Sequence, residues 1–316
     1  MYITENEILN QYEALRKTYD YIMNKAEDVV RLAGKKLYKS VTFIGCGSGY
    51  CLCKSAEISC KMRMGVPANS VAAGDLMINF QDYAGMLKNT LMVTSSRSGA
   101  TSEVLLAIKR AKEELGVSCI AVVAKEGSEL SQIADLCLEI PWAFDKSVCQ
   151  TRNVTNLYLV NLMLIGILGN DSDMLEELNT VINNGSGLID NVKDIAGKIV
   201  EDRAWEKVFV LADSELAGIA EEGALAFNEI CGIPSSYSHV LDVRHGMMVL
   251  IDEKTLVIIA CPSNGAGYQK DLIRDIKARG ACVVTVSGNS EHELGSDYHI
   301  SLPFCRNYGV YGVPFI

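Results

Sequence analysis

Two apolar runs in the first half of the chain each open into a helix through a short polar turn. "SVTFIGCGSGYCLCKSAEISCKMRMG" at 40–65 reads as strand, glycine-rich turn and helix, and "NTLMVTSSRSGATSEVLLAIKRAKEELG" at 89–116 follows the same plan. "VSCIAVVAK" at 117–125 is a further continuous apolar strand. Strands without polar alternation, separated by helices, belong to a parallel sheet covered on both faces. The second half repeats the order. "KVFVLADSELAGIAEEGALAFNEI" (207–230) answers the first segment, "KTLVIIACPSNGAGYQKDLIRDIKARG" (254–280) the second, and "ACVVTVSGN" (281–289) the third. The Thr-Leu pair at 90–91 recurs at 255–256, 165 positions on. This repeat predicts an α/β chain of two tandem doubly wound parallel-sheet units. The expected division is an N-terminal helical segment over 1–37, a first unit over 38–170, a helical connector over 171–204 and a second unit over 205–316. The connector carries an expected break at Gly185 to Gly187.

Charge and composition remove several partner classes. The net charge is −10, and a phosphate backbone needs a basic surface, so nucleic acid is not an expected partner. The most apolar stretch, "LYLVNLMLIGILG" at 157–169, is too short to span a bilayer and holds Asn161, so it reads as a core helix and no membrane is expected. The N-terminus "MYITENEILNQYEALRK" is polar and helical rather than a secretory leader. The eleven cysteines are therefore expected as reduced, buried thiols in a cytoplasmic protein. With four histidines and no CxxC pair, no metal site is expected.

The turn after the second strand is dense in hydroxyls: Thr94, Ser95, Ser96, Ser98 and Thr101, with Arg97 among them. In an open parallel sheet, ligands sit beyond the carboxyl ends of the strands. A helix N-terminus placed there offers free N–H groups and the positive end of its dipole, both of which favour an anion. A capping segment is the alternative, with Ser98 or Thr101 as N-cap and Glu103 in the first turn. A cap uses one hydroxyl, however, so the pattern favours a phosphate cradle. "GCGSGY" at 45–50 is a second glycine turn after a strand. It does not fit the dinucleotide fingerprint, because position 50 is Tyr.

The motifs "FIGCGSGY", "TSSRSGATSE", "DKSVCQTRNVT", "EEGALAFNEI" and "LDVRHGMMVLID" stand in the order and spacing of the sugar isomerase (SIS) domain family, which the chain resembles over about residues 38 to 305. The arrangement is similar to the isomerase half of glucosamine-6-phosphate synthase, to tagatose-6-phosphate ketose/aldose isomerases and to fructosamine-6-phosphate deglycases. The resemblance implies two flavodoxin-like SIS subdomains and a sugar 6-phosphate substrate. At matching positions it implies that Ser96, Arg97, Ser98 and Thr101 hold the phosphate. Gly47, Ser48, Val148 and Gln150 would line the sugar, although the family has serine in place of Gln150. Glu229 matches the catalytic carboxylate and His245 the ring-opening histidine. That histidine reaches a neighbouring subunit's site in the family, which implies a homodimer with shared active sites.

The chemistry is consistent with those residue types. Moving a carbonyl between C1 and C2 requires a positioned base to shuttle one proton through an enediol. Opening a sugar ring suits a group that titrates near neutrality. No cofactor is expected, since the route involves no redox change. His239 lies in the same loop as His245 and reads as a surface or structural residue, while His292 and His299 suggest no role. Two departures from the family matter. Ala226 stands where the synthase pattern has a lysine that assists amino-sugar isomerisation, and the deglycases resemble this chain in lacking that lysine. The chain ends at "LPFCRNYGVYGVPFI", where the family usually continues with a helix and tail, so the C-terminal tail reads as short or missing. Glutamine-dependent amination is not expected. Aldose–ketose isomerisation is the first expectation and deglycation of a fructosamine 6-phosphate the second. A non-catalytic phosphosugar sensor is the third.

Overall fold

A computed structural model describes residues 2–262, 264–288, 294–302 and 312–315. His292 and most of the C-terminal stretch lie outside them. The chain divides into two units, Met1–Asn179 and Thr180–Ile316. In the first, strands β1 (Ser40–Gly45), β2 (Ala68–Ala72), β3 (Thr90–Ser96), β4 (Ser118–Val123) and β5 (Leu136–Glu139) form one sheet in the order β2-β1-β3-β4-β5, every pair parallel. In the second, β6 (Lys207–Leu211), β7 (Ser235–Ser238), β8 (Thr255–Ala260), β9 (Cys282–Ser287) and β10 (Tyr298–Ser301) repeat that order and direction as β10-β9-β8-β6-β7. Each is a doubly wound α/β sheet, and in each the chain reverses its direction of travel beside the first strand.

The apolar runs form strands because both of their faces are covered. Along β3 every residue is buried. On one face Ile44, Val71, Met92, Ala121 and Val123 pack with Val104, Ala107 and Ile108 of the helix Ser102–Leu115. On the other side of the unit, the helix Arg152–Gly169 packs on the helix Ser48–Met64. Residues 153–167 of that helix are all buried, so the apolar 157–169 stretch is a core element. No helix among the described residues is long and apolar enough to cross a membrane.

One expected feature is absent. The helix Ser172–Asp202 runs for 31 residues straight through Gly185–Gly187. Each glycine costs a helix interior up to about 1 kcal/mol relative to alanine. The apolar positions Leu178, Val181, Ile182 and Leu188 keep one helical stripe across the glycines and are buried, and that packing outweighs the local preference.

The second unit's sheet separates two groups of side chains by the period-2 alternation of its strands. Phe209, Leu211, Val257 and Ile259 face Val240, Val243, Met248 and the helix Ala266–Lys277. Val210, Leu256 and Ile258 face the other way, onto a groove also lined by Gly223, Ala226, Phe227 and Ile230.

Candidate functional site

At the topological switch point of the first sheet, the carboxyl ends of β1 and β3 lie side by side. A cavity of about 140 Å3 opens there, lined by Cys46, Gly49, Ser95, Ser96, Arg97, Ser98, Thr101, Val104, Gln150 and Leu157. Pockets that hold drug-sized ligands measure roughly 300–1,000 Å3, so this space suits a small group such as a phosphate.

The two turns are brought this close by glycines. A side chain on Gly49 would stand 2.9 Å from the Ser95 carbonyl, and one on Gly99 would meet Ser128 Oγ at 2.2 Å. Gly99 also holds φ at 59°, a region that costs other residues dearly. Gly47 turns the chain with φ 52° directly before the helix Ser48–Met64. That helix begins at Ser48, so Gly49 lies in its first turn.

The hydroxyls divide into two groups. The strand extends to Ser96, because its pairing with β4 continues to Ser96 and Val123 beyond the last β1 partner at Thr94. Thr94 and Ser95 are therefore inside the sheet, and Ser95 Oγ donates to Asn161 Oδ1 at 3.1 Å. Ser96 Oγ accepts from the Gly99 N–H at 3.1 Å and Ser98 Oγ from the Ala100 N–H at 3.2 Å, which fixes the turn. Thr101 occupies the N-cap position of the helix Ser102–Leu115, yet its side chain makes no capping bond. The first-turn N–H groups of that helix thus lack the usual side-chain partner beside the cavity. Arg97 supplies the positive charge, its Nη1 donating to the Ser147 carbonyl at 2.9 Å. Burial, with Glu103 nearby, pushes the Cys46 thiol up from its ordinary value, so the wall carries a neutral thiol at pH 7 and not an anion.

Gln150 reaches the same wall and its Oε1 accepts from Asn153 Nδ2 at 2.5 Å. It belongs to a segment pinned by buried carboxylates. Asp145 Oδ2 accepts from the N–H groups of Thr151 (2.7 Å) and Asn153 (2.9 Å), and burial raises its pKa. Ser48 is buried beside the glycine turn, and neither it nor Gly47 lines the cavity. Val148 is 90% exposed and also stands away from the cavity wall.

Glu229 and His245 lie in the second unit, both exposed. Glu229 sits on a π-helical turn, Phe227–Cys231, that extends the helix Ala217–Ala226 and ends at Gly232 with φ 65°. Such turns recur at functional sites. Its neighbours Phe227 and Ile230 line the groove on the Val210 face of the sheet. His245 ends the short helical turn Asp242–His245, anchored by Val243 in the core on the Phe209 face. The two residues therefore belong to elements that pack on opposite faces of one sheet. His239 pairs through Nδ1 with Asp213 Oδ1 at 3.0 Å, and that oxygen also accepts from the Val240 N–H at 3.1 Å. This pairing had no signal in the sequence, since 26 residues separate the partners.

The SIS domain family model matches residues 38–167 and 203–312. The chain is 28% identical over 233 residues to glutamine–fructose-6-phosphate aminotransferase (isomerizing) of Corynebacterium diphtheriae, covering 68% of this chain and 37% of that protein. It is 27% identical over 311 residues to the protein of the same name from Thermococcus kodakarensis, covering 92% and 50%. It thus spans half or less of the length of these curated relatives. Among solved structures, tagatose-6-phosphate ketose/aldose isomerase from Escherichia coli superposes with a TM-score of 0.82 at 20% identity, covering 99% of this chain and 91% of that one. At that identity the likeness speaks for the fold. Two matched segments, each holding one five-stranded parallel sheet, show that the chain belongs to the SIS domain family and carries two SIS domains in tandem.

Proposed function

We propose that this chain is a phosphosugar isomerase that interconverts aldose and ketose at C1 and C2 of a sugar or amino-sugar 6-phosphate. The observation that carries the reading is the switch-point cavity, where Ser96, Ser98, Thr101 and Arg97 converge on a space of phosphate size. Neutral hydroxyl donors, a helix N-terminus and one guanidinium suit a phosphate dianion. Glu229 acts as the base, taking the proton from one carbon and returning it to its neighbour through an enediol. His245 opens the ring. Gly47, Ser48, Gln150 and the main chain near Val148 would contact the sugar.

The opposite-face placement of Glu229 and His245 supports a homodimer with shared sites, each substrate meeting Glu229 of one subunit and the histidine of the other. Leu241 (40%), Leu250 (55%) and Val249 (77%) are exposed around the His245 turn, as a surface covered by a second subunit would be. The cysteines among the described residues are free thiols, which suits a cytoplasmic setting.

Ala226 favours a second reading, deglycation of a fructosamine 6-phosphate to a hexose phosphate and an amine. It precedes Glu229 by one turn, so no cation flanks the carboxylate from that position. Glu229 would then give a proton to the departing amine. The deciding experiment follows fructose 6-phosphate, glucosamine 6-phosphate and fructoselysine 6-phosphate by NMR in deuterated water with purified protein. Deuterium at C1 or C2 with aldose–ketose exchange supports the isomerase. Amine released only from the fructosamine supports the deglycase, and binding without turnover of any of the three overturns both.

A further inference from the structure

The first unit's cavity depends on a residue far from it in sequence. Glu7, on the N-terminal helix Ile3–Leu9, is only 3% exposed. Its Oε1 accepts from the Lys146 N–H at 2.6 Å and the Ser147 N–H at 3.4 Å, and its Oε2 accepts from Ser147 Oγ at 2.5 Å. All of these contacts converge on residues 146 and 147. The carbonyl of Ser147 is the group that receives Arg97 Nη1 at 2.9 Å, and Arg97 is in the cavity wall. A buried carboxylate carries a desolvation cost of several kcal/mol unless its oxygens are satisfied, so it is an expensive way merely to fasten a loop. Here it orients one peptide, and that peptide orients the only arginine among the described residues that line the cavity.

We infer that Glu7 is a positioning residue for the anion site: it fixes the Ser147 carbonyl, which aims the Arg97 guanidinium across the cavity mouth. Without Glu7 the segment is free to turn, and Arg97 loses the acceptor that pre-organises it. The inference rests on the phosphate reading of the cavity proposed above. Isosteric replacement separates orientation from charge. A glutamine can accept from the Lys146 N–H through Oε1 and donate through Nε2 to Ser147 Oγ, whose own proton is then free for the Cys149 carbonyl, 2.8 Å away.

The test titrates inorganic phosphate into the full chain by calorimetry, with circular dichroism to check each variant's fold. Glu7→Ala and Arg97→Ala should each weaken binding about tenfold, the scale of one hydrogen bond to a charged group. The double variant should bind no more weakly than Arg97→Ala alone, because the first residue acts through the second. Glu7→Gln should bind within about twofold of wild type, an outcome that loss of a merely structural ion would not give. Should Glu7→Ala fail to fold, Glu7→Asp, which withdraws the carboxylate by one methylene, takes its place in the same cycle. Arg97-dependent binding that ignores Glu7, or losses that simply add, overturn this inference alone. Absence of phosphate binding by the wild type, or binding indifferent to Arg97→Ala, overturns the cavity reading and the inference with it.

Discussion

Ser98 accepts a hydrogen bond from the Ala100 N–H, so its own proton remains to be given to an anion. Ser98→Ala should raise KM about five- to tenfold with kcat nearly unchanged, because a phosphate remote from C1 and C2 contributes uniform binding. Steady-state kinetics check this, and an unchanged KM removes Ser98 from the cradle. Glu229→Gln should do the reverse, lowering kcat by roughly 10^2 to 10^4 while sugar-phosphate binding is kept. A binding defect with kcat intact would show that the carboxylate is not the base. His299 tests a different property. Burial holds its pKa below the usual histidine value, and Nδ1 contacts Thr285 Oγ1 at 3.0 Å. Its contribution to stability is full above about pH 6.5, where neither folded nor unfolded imidazole is protonated. It is lost as the pH falls from there towards the lowered folded value, because the unfolded chain takes up the proton first. Thermal melts at pH 7.5 and pH 5.5 should show a smaller acid loss in His299→Gln than in wild type. At this scale the turn around Gly99 was legible from residue type, whereas Thr94, Ser95 and Ser96 read as turn residues and lie in β3. Glu7 and the Asp213–His239 pair were not legible, since both arise from tertiary contacts between chain segments that local pattern does not relate.

The strand–turn–helix elements were legible because the apolar runs and the helical period leave little choice. The boundaries were not, and the errors have one cause: tertiary packing overrides local preference. β3 claims Thr94, Ser95 and Ser96 because its pairing with β4 runs on to Ser96 and Val123, although a run of hydroxyls looks like a turn. The helix Ser172–Asp202 absorbs two glycines because its apolar stripe continues past them. A consequence can be measured. Gly187 is exposed, and nothing stands within 4 Å of a side chain added there. Gly187→Ala should therefore raise unfolding free energy by about 0.5–1 kcal/mol. Denaturant unfolding with an unchanged or lowered midpoint would show that this part of the helix is not formed in solution.

At the scale of the molecule, the repeated strand order came through from the recurring segments 165 positions apart, since a duplicated pattern must fold twice the same way. Which face Glu229 and His245 occupy did not. That depends on the crossover after β7, whose Val240 and Val243 commit it to the Phe209 side, while the Glu229 turn lies on the Val210 side. Subunit mixing tests the shared site. If the proposed homodimer shares its sites, the Glu229→Gln and His245→Ala proteins should each be inactive. Equal amounts unfolded and refolded together should recover about a quarter of wild-type activity, because half of the dimers are mixed and each regains one intact site. No recovery would mean that each chain serves its own substrate.

Dilution has a further meaning for a chain built this way. On the proposed shared-site reading, with the elements of Glu229 and His245 packed on opposite faces of one sheet, half of the catalytic apparatus would come from a neighbour. Below the dissociation constant of the pair, rate would grow with the square of protein concentration. The cell's supply of active enzyme would then respond more than proportionally to how much of the chain it makes.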